Sequence, residues 1–291
     1  IQCAAFELWC YRCDRSRKGV RSTGLASNLL ELPAVSYRRA LVSNSASIRV
    51  ISYNIHKGIG GVDRRYRPER IVETLRQYSA DIIFLQEVDD QVPRSRMDVQ
   101  VELFSEALEM KHSAYQRNVH LKQGHYGNAI LSRFPLLDVE DVDLTIPLKK
   151  RRQGLLAHCR IKIGGHQRTL LLVNVHLGLA GFERKMQLRK LLEHPTVQRV
   201  HKETPAVIGG DLNDVWENLG KQLMTPAGFS VAAKSIRTFP AAFPARALDN
   251  LFYRGDLEVK HAFASKSKVA GLASDHRPLI VDFELGGPDV R

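Results

Sequence analysis

No apolar run in this 291-residue chain approaches the ~20 residues that a bilayer-spanning helix requires. Cysteine is scarce, and three of the four, Cys3, Cys10 and Cys13, fall at the very start; Cys159 stands alone in the rest. The body of the chain therefore shows no disulfide framework, and a single Cys-x-x-Cys without a second ligand pair is a weak zinc signal. The first 47 residues also lack helical or strand periodicity and the apolar stretch of a secretory signal. Residues 1–47 are expected to be a poorly ordered or non-functional extension. Taken together, the absences favour a cytoplasmic protein.

What is present is ordinary in amount and basic in balance. The chain is 44% hydrophobic and 25% charged, the composition of a soluble globular protein long enough for one large core. Its net charge of +12 and pI near 9.7 suit an anionic partner such as a nucleic acid, a phosphorylated metabolite or an anionic membrane surface. Residues 1–47 carry seven Lys and Arg against three acids; of the +12, that +4 leaves +8 in the remainder. The densest basic run there, Lys149-Lys150-Arg151-Arg152, reads as a solvated loop rather than a phosphate clamp.

From residue 48 onward, short β-rich runs alternate with a few amphipathic stretches. Ile48–Tyr53 ends in Asn54-Ile55-His56, and a helical pattern starts at Pro68. Ala80–Leu85 is a mostly apolar run of the kind buried on both faces and ends in Gln86-Glu87-Val88. The second half repeats this order. Leu170–Val173 leads to Asn174-Val175-His176, a helical stretch follows over 182–192, and Val207-Ile208-Gly209-Gly210 ends in Asp211-Leu212-Asn213. The echo predicts two similar sheets packed face to face with helices outside, a four-layer α/β sandwich spanning 48–286, with 287–291 as a tail. The strand ends should converge on one cleft.

Residues i and i+2 of an extended segment share a face, so Asp211 and Asn213 offer two oxygens on one side. Those oxygens suit an ion or a phosphate, or they cap a following helix over 214–223. The other polar groups at strand ends are Asn54, Glu87, Asp249 and Asp275, with His176 and His276 among them. Carboxylate and amide oxygens without thiolates fit Mg²⁺, or Mn²⁺, better than zinc. Thr238-Phe239-Pro240 and Phe243-Pro244 could form a cleft wall or an ordinary structured loop.

Seven segments in order carry a resemblance: Asn54-Ile55-His56, Gln86-Glu87-Val88, Gly127 through Arg133, Asn174-Val175-His176, Gly210 through Asn213, Leu248-Asp249 and Ser274-Asp275-His276. Together they resemble the endonuclease/exonuclease/phosphatase superfamily, which includes deoxyribonuclease I, abasic-site endonucleases, neutral sphingomyelinases and inositol polyphosphate 5-phosphatases. Asn54-Ile55-His56-Lys57-Gly58 is most similar to compact stand-alone bacterial members and departs from the abasic-site branch. The resemblance implies a Mg²⁺-dependent phosphoester hydrolase, acting as a monomer on an anionic substrate. It implies Glu87 as main metal ligand with Asn54 and Asp275, and Asp211 and Asn213 holding the attacking water or the phosphate. His276, oriented by Asp249, would be general base or electrostatic partner. His176 would assist a phosphate oxygen or the leaving group, and Asn128 and Tyr126 would contact the phosphate. A nucleic-acid substrate fits the basic body; a lipid headgroup or small phosphodiester fits nearly as well. A non-catalytic phosphate-binding module is the contrasting reading, and it should show substitutions at Glu87, Asp211 or His276.

Overall fold

The structure is a computed structural model, and it describes residues 45–286. In chain order the strands of the first half are β1 (Ser45–Asn54), β2 (Ile82–Asp90), β3 (His112–His120), β4 (His125–Ser132), β5 (Leu136–Asp143) and β6 (Gln153–Ile163). Those of the second half are β7 (His166–His176), β8 (Ala206–Asp211), β9 (Ser230–Val231), β10 (Asp249–Arg254), β11 (Leu257–Ala264) and β12 (Leu279–Gly286). Helices are α1 (Pro68–Arg76), α2 (Gln100–Ala107), α3 (Gly181–Leu192), α4 (Pro195–Arg199) and α5 (Ala270–Ala273).

Two six-stranded sheets form, in the orders β11-β12-β1-β2-β4-β3 and β5-β6-β7-β8-β10-β9. Each is mixed, with a parallel pair near its middle: β1 beside β2, and β7 beside β8. A parallel pair needs a crossover connection, and α1 and α3 supply it, as the repeated motif order predicted. The fold is the four-layer α/β sandwich.

Alternation along the strands explains why the runs are apolar throughout. In β1, Ile48 and Val50 pack between the sheets while Ile51 and Tyr53 pack outward beneath α1 and α2. In β7, Leu170 and Leu172 point into the inter-sheet core, and Leu171, Val173 and Val175 point outward against α3. Both faces are buried, so both positions must be apolar. Cys159 lies in the inter-sheet core, where burial pushes its thiol up to about 12.

The same alternation places the polar groups. Ser52 and Asn54 continue the inward row of β1, Gln86 that of β2, Asn174 and His176 that of β7, and Asp211 that of β8. The space between the sheets is therefore apolar at one end and lined with amides, acids and histidines at the other. Asn174 fastens the layers where the character changes. Its Nδ2 donates to the carbonyls of Leu85 and Ala129 at 2.9 Å each, and its Oδ1 accepts from Gln86 Nε2 at 2.7 Å.

Three expectations change. Ser45–Ser47, assigned to the extension, are the first residues of β1 and pair with Gly286, Leu285 and Glu284; the rest of that proposed extension and the 287–291 tail lie outside the described residues. The helix expected over 214–223 is reduced to one π-helical turn, Gly220–Met224. Asn213 and Glu217 have positive φ, and Asp214 Oδ2 accepts from the Leu219 amide at 2.7 Å, so the chain turns sharply before it coils. Asp211 thus caps no helix; its Oδ1 accepts from the Asn213 amide at 3.0 Å.

Candidate active site

A cavity of about 910 Å³ opens at the polar end of the inter-sheet space. Asn54, Glu87, Tyr126, His176, Asp211, Asn213, Asp275 and His276 all line it. Asp249 stands just behind, fully buried, and reaches the cavity through His276. Of the residues expected at the site, Asn128 alone is turned elsewhere. Its Nδ2 donates to Gln116 Oε1 on β3 at 3.1 Å and to the Gln153 carbonyl on β6 of the second sheet at 3.4 Å.

Glu87 reaches the cavity through an irregularity. Strict alternation would put it on the outer face with Ile83 and Leu85, but the β2–β4 register shifts between Leu85 and Val88 and Glu87 has φ +59°. Such a bulge re-aims a side chain. Its carboxylate pairs with the Lys57 ammonium. Burial favours its neutral form, but the charges of His176, which is protonated in the acid range where Glu87 titrates, and of Lys57 outweigh that and bring it down to about 2. Tyr126 lies against this group: Lys57 and Arg94 each sit 5.6 Å from its ring centroid, and burial with the Glu87 charge pushes its phenol strongly upward.

Across the cavity, Asp249 Oδ2 accepts from Thr238 Oγ1 at 2.5 Å and lies 2.8 Å from His276 Nδ1. The other ring nitrogen, Nε2, faces Asp211 Oδ2 at 3.7 Å. Burial alone would lower this histidine's pKa, yet Asp249 and Asp211 prevail and raise it to about 10. The two carboxylates thus favour the charged imidazolium. The Phe239 ring covers it, 4.9 Å between centroids, so the Thr238-Phe239-Pro240 segment is a cleft wall. Ser274 fixes the approach, donating to the Asn54 carbonyl at 2.7 Å and accepting from the His276 amide at 3.2 Å.

Asp211 joins the halves. Its Oδ2 accepts from Asn54 Nδ2 at 2.9 Å and lies 3.4 Å from His176 Nε2. Asn213 Nδ2 donates to the Leu177 carbonyl at 3.0 Å, which holds the Asp211–Asn213 turn. His176 is the opposite of His276: burial and the Arg152 charge lower it to about 4, so it is neutral at pH 7.

Several wall residues carry no strand-end signal in the sequence. Lys57, Arg94 and Arg152 line the cavity with the expected residues. Arg94 is clamped by Asp89 through two bonds of 2.7 and 2.8 Å. Lys150, Arg151 and Arg152 of the basic run border the cavity; their loop is exposed, but it is not merely solvated. Arg152 has no acidic partner among the described residues, and its buried Nε lacks a hydrogen-bond partner.

The donor set fits a hard divalent cation. Oxygen donors Asn54, Glu87 and Asp275 face the cavity with no thiolate among them. A second group, Asp211, Asp249 and His276, brings potential ligand atoms within 4.8 Å of one another. Asp249 Oδ1 is buried without a hydrogen-bond partner, but its Oδ2 is already taken by His276 and Thr238. Glu87 pairs with Lys57 and Asn54 Oδ1 accepts from the His56 amide at 3.0 Å, yet Asn54, Glu87 and Asp275 all face the cavity, whereas Asp249 stands behind it.

This arrangement can be set beside known proteins. A family model described as "Endonuclease/Exonuclease/phosphatase family" matches residues 51–276, nearly the whole of the described domain. The chain belongs to this family. Members of the endonuclease/exonuclease/phosphatase family are generally hydrolases of phosphoester bonds. The Escherichia coli protein YbhP, described as uncharacterized, is 31% identical over 256 residues, covering 82% of this chain and 97% of YbhP. The endonuclease/exonuclease/phosphatase from Beutenbergia cavernae shares the fold with a TM-score of 0.68 at 21% identity, over 84% of this chain and 73% of that one. Truncated TDP2 from Caenorhabditis elegans does so with a TM-score of 0.60 at 21% identity, over 81% and 97%. Among the described residues, no helix is long and apolar enough to cross a membrane.

Proposed function

We propose that this chain hydrolyses a phosphodiester with the help of a divalent cation, Mg²⁺ or Mn²⁺, held by Glu87, Asn54 and Asp275. The observation that carries this reading is the convergence of the ionised Glu87, the His276–Asp249 pair and the Asp211–Asn213 turn on one cavity. When bound, such a cation neutralises charge on the phosphoryl oxygens. The remaining work falls to the chain. Held by two carboxylates that favour its charged form, His276 faces the phosphate as a cation rather than taking water's proton. The carboxylate next to it, Asp211, is placed to accept that proton, and Asn213 orients the turn that carries it. His176, neutral with Nε2 toward the same oxygen, supplies an N–H to a phosphate or leaving-group oxygen. Tyr126 and the unpartnered Arg152 contribute donors on the opposite wall.

The test is a panel of plasmid DNA, abasic DNA, RNA, bis-p-nitrophenyl phosphate, sphingomyelin and inositol phosphates with and without Mg²⁺. Release should require the metal, and Glu87→Ala should weaken metal binding by at least about 100-fold, measured calorimetrically. Undiminished turnover in EDTA would sink the reading. Arg152→Gln should raise KM by roughly tenfold, the cost of one charge-assisted contact, with little change in kcat. An unchanged KM would remove Arg152 from the phosphate site. If the substrate is a nucleic acid, KM should also rise steeply with salt.

A further inference from the structure

Twelve large apolar side chains are exposed among the described residues, and half of them lie in or next to segments that line the cavity. These are Leu148 (104% exposed), Leu179 (77%), Phe182 (55%), Val215 (38%), Trp216 (78%) and Phe243 (84%). They come from four different places: the β5–β6 loop, the β7–α3 junction, the turn after β8, and the segment before β10. Each of these places also lines the cavity, through Arg151, Leu179, Val215 and Phe239 respectively. Folding does not explain the grouping. Leu148 even adopts φ +63°, a left-handed conformation disfavoured for a residue with a side chain, while exposing that side chain completely. A soluble chain that places apolar groups in one patch marks a contact surface.

Basic residues are interleaved with them. Lys149, Lys150 and Arg151 follow Leu148 directly and are exposed, and the Lys149 ammonium lies 5.1 Å from the Phe182 ring centroid. Apolar tips next to Lys and Arg, with tryptophan and phenylalanine among them, are the chemistry of a protein seated at the headgroup level of an anionic bilayer. A single-stranded nucleic acid would use the aromatic rings and the charges, but Leu148, Leu179 and Val215 present no ring on which a base can stack. A second copy would bring the same cluster of positive charge against itself.

We propose that the cavity mouth docks on an anionic phospholipid bilayer, with Leu148, Phe182 and Trp216 entering the interface, so that the cavity meets a lipid phosphodiester. The choice of lipid substrate rests on the phosphodiesterase reading above; the docking does not. Trp9 is the other of the two tryptophans, so Trp9→Phe in the full chain makes Trp216 the sole reporter. With phosphatidylcholine–phosphatidylglycerol vesicles, the Trp216 emission should shift to the blue and the protein should co-sediment. Vesicles of phosphatidylcholine alone should do so far less. The triple variant Leu148→Ser/Phe182→Ser/Trp216→Ser should bind the anionic vesicles at least about tenfold more weakly. Its melting temperature and its Mg²⁺-dependent hydrolysis of soluble bis-p-nitrophenyl phosphate should be unchanged, because none of the three lines the cavity. Absence of both the shift and the co-sedimentation overturns the proposal. A shift with a single-stranded oligonucleotide but not with vesicles also overturns it, in favour of nucleic acid. If vesicles are bound but neither bis-p-nitrophenyl phosphate nor the vesicle phospholipid is hydrolysed, the docking stands and the phosphodiesterase reading fails.

Discussion

His276→Ala should lower kcat/KM on a phosphodiester by about 10³-fold, near the middle of the range for a positioned proton-bearing group and about 4 kcal/mol of transition-state stabilisation. The magnitude follows from the position. His276 is buried, covered by Phe239, and held between two carboxylates that keep it charged where a buried histidine would ordinarily be neutral. His176 does not replace that charge, since burial and Arg152 hold it neutral. The pH dependence separates this role from that of a general base. A base must be unprotonated, so its activity would rise through the histidine's pKa. A cationic partner must be protonated, so activity should hold through neutral pH and fall as pH rises toward about 10. Asp249→Asn removes the larger of the two favourable charges, which destabilises the imidazolium and moves the alkaline limb toward neutral pH. Its activity should fall by about 10²-fold or more at pH 9 and by less at pH 6. A limb unmoved by Asp249→Asn, or a rate that rises between pH 7 and 9 in the wild type and not in the variant, would give the proton-accepting role back to His276.

The depth at which the site could be read from the sequence follows from how each residue is placed. Strand alternation needs only the order of side chains, so Asn54, His176 and Asp211 were legible as inward groups once their runs were recognised as strands. The repeated Asn-x-His and the two acid-ended strands likewise predicted the paired sheets, because a parallel pair with its crossover has a sequence length and order of its own. Glu87 is different. Its motif marks it, but its direction depends on a bulge and a positive φ that no local pattern reports. Asn128 fails for the complementary reason: it shares a motif, yet Gln116 on the neighbouring β3 and the Gln153 carbonyl on β6 of the other sheet take its amide. Lys57, Arg94 and Arg152 sit in turns and loops, whose side-chain directions are set by tertiary contacts. The helix expected after Asn213 was lost to the same kind of contact, the Asp214 carboxylate competing for the Leu219 amide.

The second large effect is expected at a residue that does not line the cavity. Asn174→Ala should destabilise the domain by about 3–5 kcal/mol, since it removes three buried hydrogen bonds of roughly 1 kcal/mol each and leaves part of their polar partners without compensation. The bonds run from β7 of one sheet to Leu85 and Ala129 on β2 and β4 of the other, and to Gln86. Water cannot readily replace them, because Asn174 is 0% exposed and the layers on either side are closed. For a domain of this size the change corresponds to a melting temperature lower by roughly 10 °C. Asn174→Leu should be no better tolerated: it is similar in volume, but it buries the same carbonyls and the Gln86 amide against methyl groups. Loss of the Gln86 contact also frees the residue immediately before the Glu87 bulge, so metal binding at Glu87 should weaken in the variant even well below its melting temperature. Thermal melts with calorimetric Mg²⁺ titration at low temperature measure both. A variant that melts within about 2 °C of the wild type would show that Asn174 does not fasten the two sheets. A destabilised variant with unaltered Mg²⁺ affinity would show that the fastening and the orientation of Glu87 are independent, placing the control of Glu87 in the bulge alone.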